Sequence, residues 1–141
     1  MKADLNNKLI AVIRVRGRIG VRRSINETLS RLNVKKVNNL SLVFGTAANL
    51  GMIEKCKDFV TYGPVEEGVL AKLLDSKGSK VSKDDISSMM SGKKRARDVL
   101  KLPITMHPPR RGYEGIKQSF AVGGALGYRG EKVNELIKRM A

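Results

Sequence analysis

Lys8-Leu9-Ile10-Ala11-Val12-Ile13-Arg14-Val15-Arg16 is the stretch on which the fold turns. It opens as a continuous apolar run rich in β-branched residues and then alternates, with Val15 between two arginines. An unbroken run of this kind reads as a central strand, buried along most of its length. The alternation puts Arg14 and Arg16 on one face, and if helices cover the other face the two guanidinium groups project from an open one. Gly17-Arg18-Ile19-Gly20 then breaks the strand.

The neighbouring segments extend the pattern. Ser24-Ile25-Asn26-Glu27 has the form of a capping box, in which a serine hydroxyl takes a free backbone N–H and the glutamate reaches back. Ile25, Leu29 and Leu32 follow at helical spacing, predicting a short amphipathic helix over about 24–33. Lys35, Lys36 and Asn38-Asn39 form a turn, and Leu40-Ser41-Leu42-Val43-Phe44 reads as a second strand. Thr46 suits the N-cap of a helix carrying Ala47, Leu50, Ile53 and Cys56, with Cys56 as a small core residue. Phe59-Val60-Thr61-Tyr62 completes a β-α-β-α-β unit within residues 1–62.

Residues 63–104 read as a small helical insertion. Val69, Leu70, Leu73 and Leu74 share one face of a helix after Pro64. Ser82-Lys83-Asp84-Asp85 opens a second helix that buries Ile86, Met89 and Met90 and stops at Gly92. Leu102 to Met106 suits a short strand, and Val133, Leu136, Ile137 and Met140 mark a closing amphipathic helix. Residues 105–141 are expected to complete the core with a basic loop and that helix.

Composition narrows the function. The 141 residues carry 28 Lys+Arg against 13 Asp+Glu, a formal charge of +15, and 41% of them are apolar, enough for one ordinary core. The charge is not even: residues 1–62 and 93–141 each hold 12 basic and 4 acidic side chains, whereas 63–92 is close to neutral. Two cationic blocks predict contact with a polyanion, and nucleic acid is the commonest one. A single cysteine and a single histidine leave no thiolate metal cluster, no internal disulfide and little scope for histidine-based catalysis, so no cofactor is expected. Glu66-Glu67 and Asp84-Asp85 stand at helix starts, where they suit the helix dipole rather than acid–base work. No run of 18 apolar residues exists and residues 1–7 lack the apolar core of a signal peptide, so neither a membrane partner nor export is expected.

Three groups of residues are candidate nucleic-acid contacts. Arg14, Arg16, Arg18, Arg22 and Arg23 crowd the end of the first strand with no interleaved acid, a repulsive set unless an anion lies among them. Lys35 and Lys36 occupy the turn after the first helix. His107-Pro108-Pro109-Arg110-Arg111-Gly112-Tyr113 leads into a glycine-rich tract with Lys117, Tyr128 and Arg129, and six of the 14 glycines fall between 112 and 130. Glycines admit a phosphate chain closely, arginines grip its oxygens, tyrosines stack on unpaired bases, and paired prolines limit the entropy lost on binding. Gly127-Tyr128-Arg129-Gly130 lacks the leading helix of a KH clamp, and Glu131 after Gly130 excludes a phosphate-binding Walker loop. Net charge does not separate an RNA-binding protein from a DNA-coating one, and an enzyme of phosphate substrates lacks a candidate acid or base.

With these residues in view, the chain resembles the large-subunit ribosomal protein L-thirty family in its archaeal type, related to the eukaryotic L-seven proteins. The resemblance rests on Val12 to Gly17, Leu29 to Val34, Val37 to Val43, Gly51 to Val60, His107-Pro108-Pro109-Arg110, Gly115-Ile116-Lys117 and Gly123 to Gly127. It implies a non-enzymatic constituent of the large ribosomal subunit in the cytoplasm. Its partners would be the main rRNA, close to the 5S rRNA, and neighbouring ribosomal proteins, with no small-molecule substrate. It also implies an α+β fold whose three-stranded antiparallel sheet, with the first strand central, packs against helices. Helix-joined strands would otherwise be expected to run parallel.

Overall fold

The computed structural model describes residues 7–17, 20–76, 83–93, 104–109, 112–113 and 115–140. The expected cap at Ser82 lies outside them. Strand β1 (Leu9–Arg14) is buried at every position. It pairs antiparallel with β2 (Asn39–Phe44) on one side, Leu9 opposite Phe44 and Ile13 opposite Leu40. On its other side it pairs antiparallel with β3 (Val60–Pro64), Ile10 opposite Pro64 and Arg14 opposite Val60. Helices α1 (Arg23–Arg31) and α2 (Ala47–Lys55) connect these strands.

The sheet extends further than the three antiparallel strands implied by the resemblance. Strand β4 (Ile104–Thr105) adds to β2, while β5 (Gly115–Ser119) and β6 (Gly124–Tyr128) add beyond β3. The strand order is β4-β2-β1-β3-β6-β5, and the β3–β6 and β6–β5 pairings are parallel, so the sheet is mixed. The sequence hides β5 and β6 because their glycines mimic a loop. Glycine carries the weakest side-chain signal for a strand.

Both faces of β1 are covered, and this explains its unbroken apolar run. Leu9, Ala11 and Ile13 join Leu40 and Leu42 against helices α3 (Glu67–Ser76), α4 (Lys83–Ser91) and α5 (Val133–Met140). Val69, Leu70, Leu73, Leu74, Ile86, Met89, Leu136 and Ile137 fill that layer. Ile10 and Val12 point the other way, into Leu29, Leu32, Val34, Leu50, Ile53, Cys56, Val60 and Tyr62. Period-two alternation sends consecutive side chains into two separate apolar layers, so no face of β1 is left for polar residues.

The helix starts differ from one another. Thr46 caps α2 as its position predicts, its hydroxyl accepting from the Asn49 N–H at 3.3 Å. The capping box expected at Ser24 does not form. Arg22 is the N-cap residue of α1 and makes no side-chain cap bond, which puts Ser24 inside the first turn. Glu27 pairs instead with Arg23 one turn earlier, at 3.3 Å.

Candidate nucleic-acid interface

Arg14 is not on an open face. Its side chain is fully buried, and its guanidinium donates to four backbone carbonyls. Nε reaches Arg16 O at 2.9 Å, Nη1 reaches Val34 O and Lys35 O at 3.0 Å each, and Nη2 reaches Gly17 O at 3.2 Å. A buried cation is tolerable only when its donors are satisfied, and the planar fork of arginine matches carbonyls arriving from two directions. The acceptors belong to the segment after β1 and to the segment after α1. Arg14 therefore fixes the backbone under Arg16 and Lys35, and its contribution to a surface is positional.

The turn after α1 is tied in turn to the proline loop. Asn33 and Asn38 adopt left-handed backbone with φ of 62° and 66°, a conformation that asparagine tolerates better than most side chains. The Asn38 N–H donates to Arg14 O at 2.9 Å and its own carbonyl accepts from the Met106 N–H at 3.0 Å. Its side-chain Oδ1 accepts from the Tyr113 hydroxyl at 2.6 Å. Burial pushes the Tyr113 hydroxyl up to about 12, against smaller lowering by Arg129 and Arg139. Tyr113 thus serves as an anchor, with its ring against the core. Lys35, Lys36, His107 and Pro108 are exposed around this junction, whereas Pro109 is buried. Arg18, Arg110 and Arg111, with the side chain of Lys117, lie outside the described residues.

A second concentration of charge surrounds an aromatic cleft on the β3–β6 side. Arg16 and Arg22, more than a hundred positions before Tyr128 in sequence, line it together with Tyr128, Lys57, Phe59, Tyr62 and Phe120. The Arg16 guanidinium stands 5.2 Å from the Phe59 ring centre. The Tyr62 and Tyr128 rings are 5.8 Å apart and tilted by 53°. Sequence reasoning assigned Phe59 and Tyr62 to a strand and did not see this cleft, because only the parallel pairing of Tyr62 with Tyr128 creates it.

Arg129 is interior. It is 6% exposed, and its Nε donates to Thr61 Oγ1 at 2.9 Å and its Nη2 to Ala125 O at 3.3 Å. Its guanidinium also lies 4.8 Å from the Phe120 ring centre, a cation–π contact that locks the β5–β6 connection onto β3. Arg23 is at the surface in its pair with Glu27. Cys56 is buried in the core as expected, and burial pushes its thiol up to about 11. Among the described residues no group of His, Cys, Asp and Glu could hold a metal ion, and no helix is long and apolar enough to cross a membrane.

A sequence model for the family ribosomal protein L30p/L7e matches residues 10–60, the span from β1 to the start of β3. Likeness to individual proteins runs much further. The large ribosomal subunit protein uL30 of Methanoregula boonei is 35% identical, over 94% of this chain and 99% of its own length. That of Methanocorpusculum labreanum is 38% identical over the same shares. That of Nanoarchaeum equitans is 39% identical, over 93% of this chain and 97% of its own. The chain belongs to the ribosomal protein L30p/L7e family. Membership makes it a structural constituent of the large ribosomal subunit and not an enzyme, as the resemblance implied. The family model ends at residue 60, so the proline loop, β6 and α5 are linked to the family by the full-length relatives.

Proposed function

We propose that this protein binds large-subunit rRNA through two surfaces, the junction of the Lys35–Lys36 turn with the His107 loop and the rim of the aromatic cleft. The observation that carries this reading is the Asn38 junction. It ties the exposed Lys35–Lys36 turn of the first basic block to the exposed His107 at the head of the second, so one stretch of surface joins the two blocks, as a phosphate-lined partner requires. Arg18, Arg110, Arg111 and Lys117 are further rRNA contacts in this reading, and Arg14 and Arg129 hold backbone in place through their buried hydrogen bonds. The site faces rRNA close to the 5S rRNA, beside neighbouring ribosomal proteins, and the protein resides in the cytoplasm with the ribosome.

Lys35→Ala with Lys36→Ala tests it. Binding to a large-subunit rRNA fragment should weaken, and the slope of log affinity against log salt should flatten by about 0.7–0.9 for each phosphate no longer neutralised. Far-UV dichroism should stay unchanged. An unaltered slope removes this turn from the interface. Duplex DNA bound as tightly as the rRNA fragment at matched salt would favour a DNA-coating protein instead.

A further inference from the structure

The chain has six aromatic residues, three Phe and three Tyr, and four of them, Phe59, Tyr62, Phe120 and Tyr128, line one open cleft of about 720 Å³. That volume falls within the ~300–1,000 Å³ of small-ligand sites. Aromatic side chains ordinarily go to the core, where their large area is worth most. Here Phe59, Phe120 and Tyr128 are only half-buried and meet solvent along the cleft. Arg16, Arg22 and Lys57 line the same space, and none of the three forms an ion pair with a described residue. Asp58 is the one acid among the described lining residues.

Flat apolar rings beside cations without an ion pair among the described residues are complementary to a group with a flat ring and a negative charge. We propose that the cleft receives one unpaired nucleotide of RNA, its base stacked among Phe59, Tyr62 and Tyr128 and its phosphates held by Arg16, Arg22 and Lys57. A paired base presents no free face to such a cleft, whereas an extruded one stacks on aromatic rings and on guanidinium planes alike. Arg16, already lying over Phe59, offers such a plane in the lining of the cleft. Asp58 supplies an acceptor for a base N–H. The inference rests on the rRNA-binding reading above and specifies what this part of the surface recognises: a single-stranded position and not a helix backbone.

The test uses the intact protein and a short single-stranded RNA carrying 2-aminopurine, with a blunt duplex of the same length and polyglutamate as competitors. Stacking should quench the 2-aminopurine emission, and duplex and polyglutamate should displace the strand poorly. Phe59→Leu with Tyr128→Leu keeps apolar bulk but removes two π-faces. It should weaken single-strand binding about ten-fold, the lower end of stacking energies of ~1–3 kcal/mol per base, with no change in salt slope because the charge is unchanged. In the unaltered protein, the ring resonances of Phe59 and Tyr128 should shift on adding the strand while those of Phe44, outside the cleft, stay in place. That readout holds even if the double variant fails to fold. Equal displacement by duplex or polyglutamate, or unmoved Phe59 and Tyr128 resonances, overturns the proposal. If those resonances stay fixed while the rRNA fragment still binds with its full salt slope, only the cleft assignment falls. If the rRNA fragment binds no better than duplex DNA, the broader reading fails with it.

Discussion

At the scale of single residues, the most informative position is Arg14. Burying a guanidinium has a large desolvation cost, offset here by four carbonyl acceptors. Lysine, a point charge with three donors on one nitrogen, cannot serve acceptors that arrive from two segments. Arg14→Lys should therefore lower stability by about 2–3 kcal/mol, the scale of losing charge-assisted bonds, measured by urea denaturation. It should also weaken rRNA binding by loosening Arg16 and Lys35 while leaving the salt slope intact, which an exposed phosphate-binding arginine would not do. Sequence reasoning placed Arg14 outside because it took one face of the sheet to be open, whereas apolar layers cover both faces of β1. Two of the four acceptors of Arg14, Val34 and Lys35, lie 20 and 21 residues away and leave no trace in the local pattern. Asn38 was legible as a turn residue, yet its bond to Tyr113 spans 75 positions and was not.

At the scale of elements, what the sequence made plain was what short-range periodicity governs. Val69, Leu70, Leu73 and Leu74 do share one buried face, Thr46 does cap α2, and Gly92 does end α4 with a positive φ of 82°. The failures come where a backbone alternative competes. Ser24 does not cap because α1 starts two residues earlier than a cap at that position allows, and β5 and β6 were concealed by their glycines. Gly63 shows why such glycines are there. A Cβ at this position of β3 would run into the carbonyl oxygen of Gly130 and the Val133 side chain, so the start of α5 sits directly on the strand. Gly63→Ala should destabilise the protein by about 1–3 kcal/mol through overpacking, visible as a lowered urea midpoint. The same substitution at Gly51, where nothing lies within 4 Å, should cost nothing and favour the helix.

At the scale of the whole molecule, the sheet divides the interior into two layers, and the five apolar residues of β1, Leu9 to Ile13, alternate between them. Residues 63–104 were expected as an insertion, and α3 and α4 from that span fill much of one layer. We propose that the chain unfolds as one unit, because neither layer closes without β1. Alkali tests this. Cys56 lies in one layer and Tyr113 against the other, and burial raises both from their ordinary values of 9.0 and 10.0. The unfolded chain then gives up these protons at lower pH than the folded one. The contribution of these two groups to stability should be fully present below pH 9 and be lost as pH rises through 9–11 for Cys56 and 10–12 for Tyr113. Dichroism and tyrosine absorbance should report one coincident transition, and Cys56→Ala should abolish the part of the fall that begins near pH 9.

The parallel pairing of β3 with β6 joins residues 61–62 to 127–128. During synthesis, the outer edge of β3 emerges with its hydrogen-bonding groups uncovered and stays so until some sixty more residues have been added. At the elongation rates of living cells, ~5–20 residues per second, that interval lasts several seconds. A nascent chain of this protein therefore carries a bare strand edge during that time, and a chaperone or a partner that shields Thr61 and Tyr62 would be needed then and redundant once Tyr128 arrives.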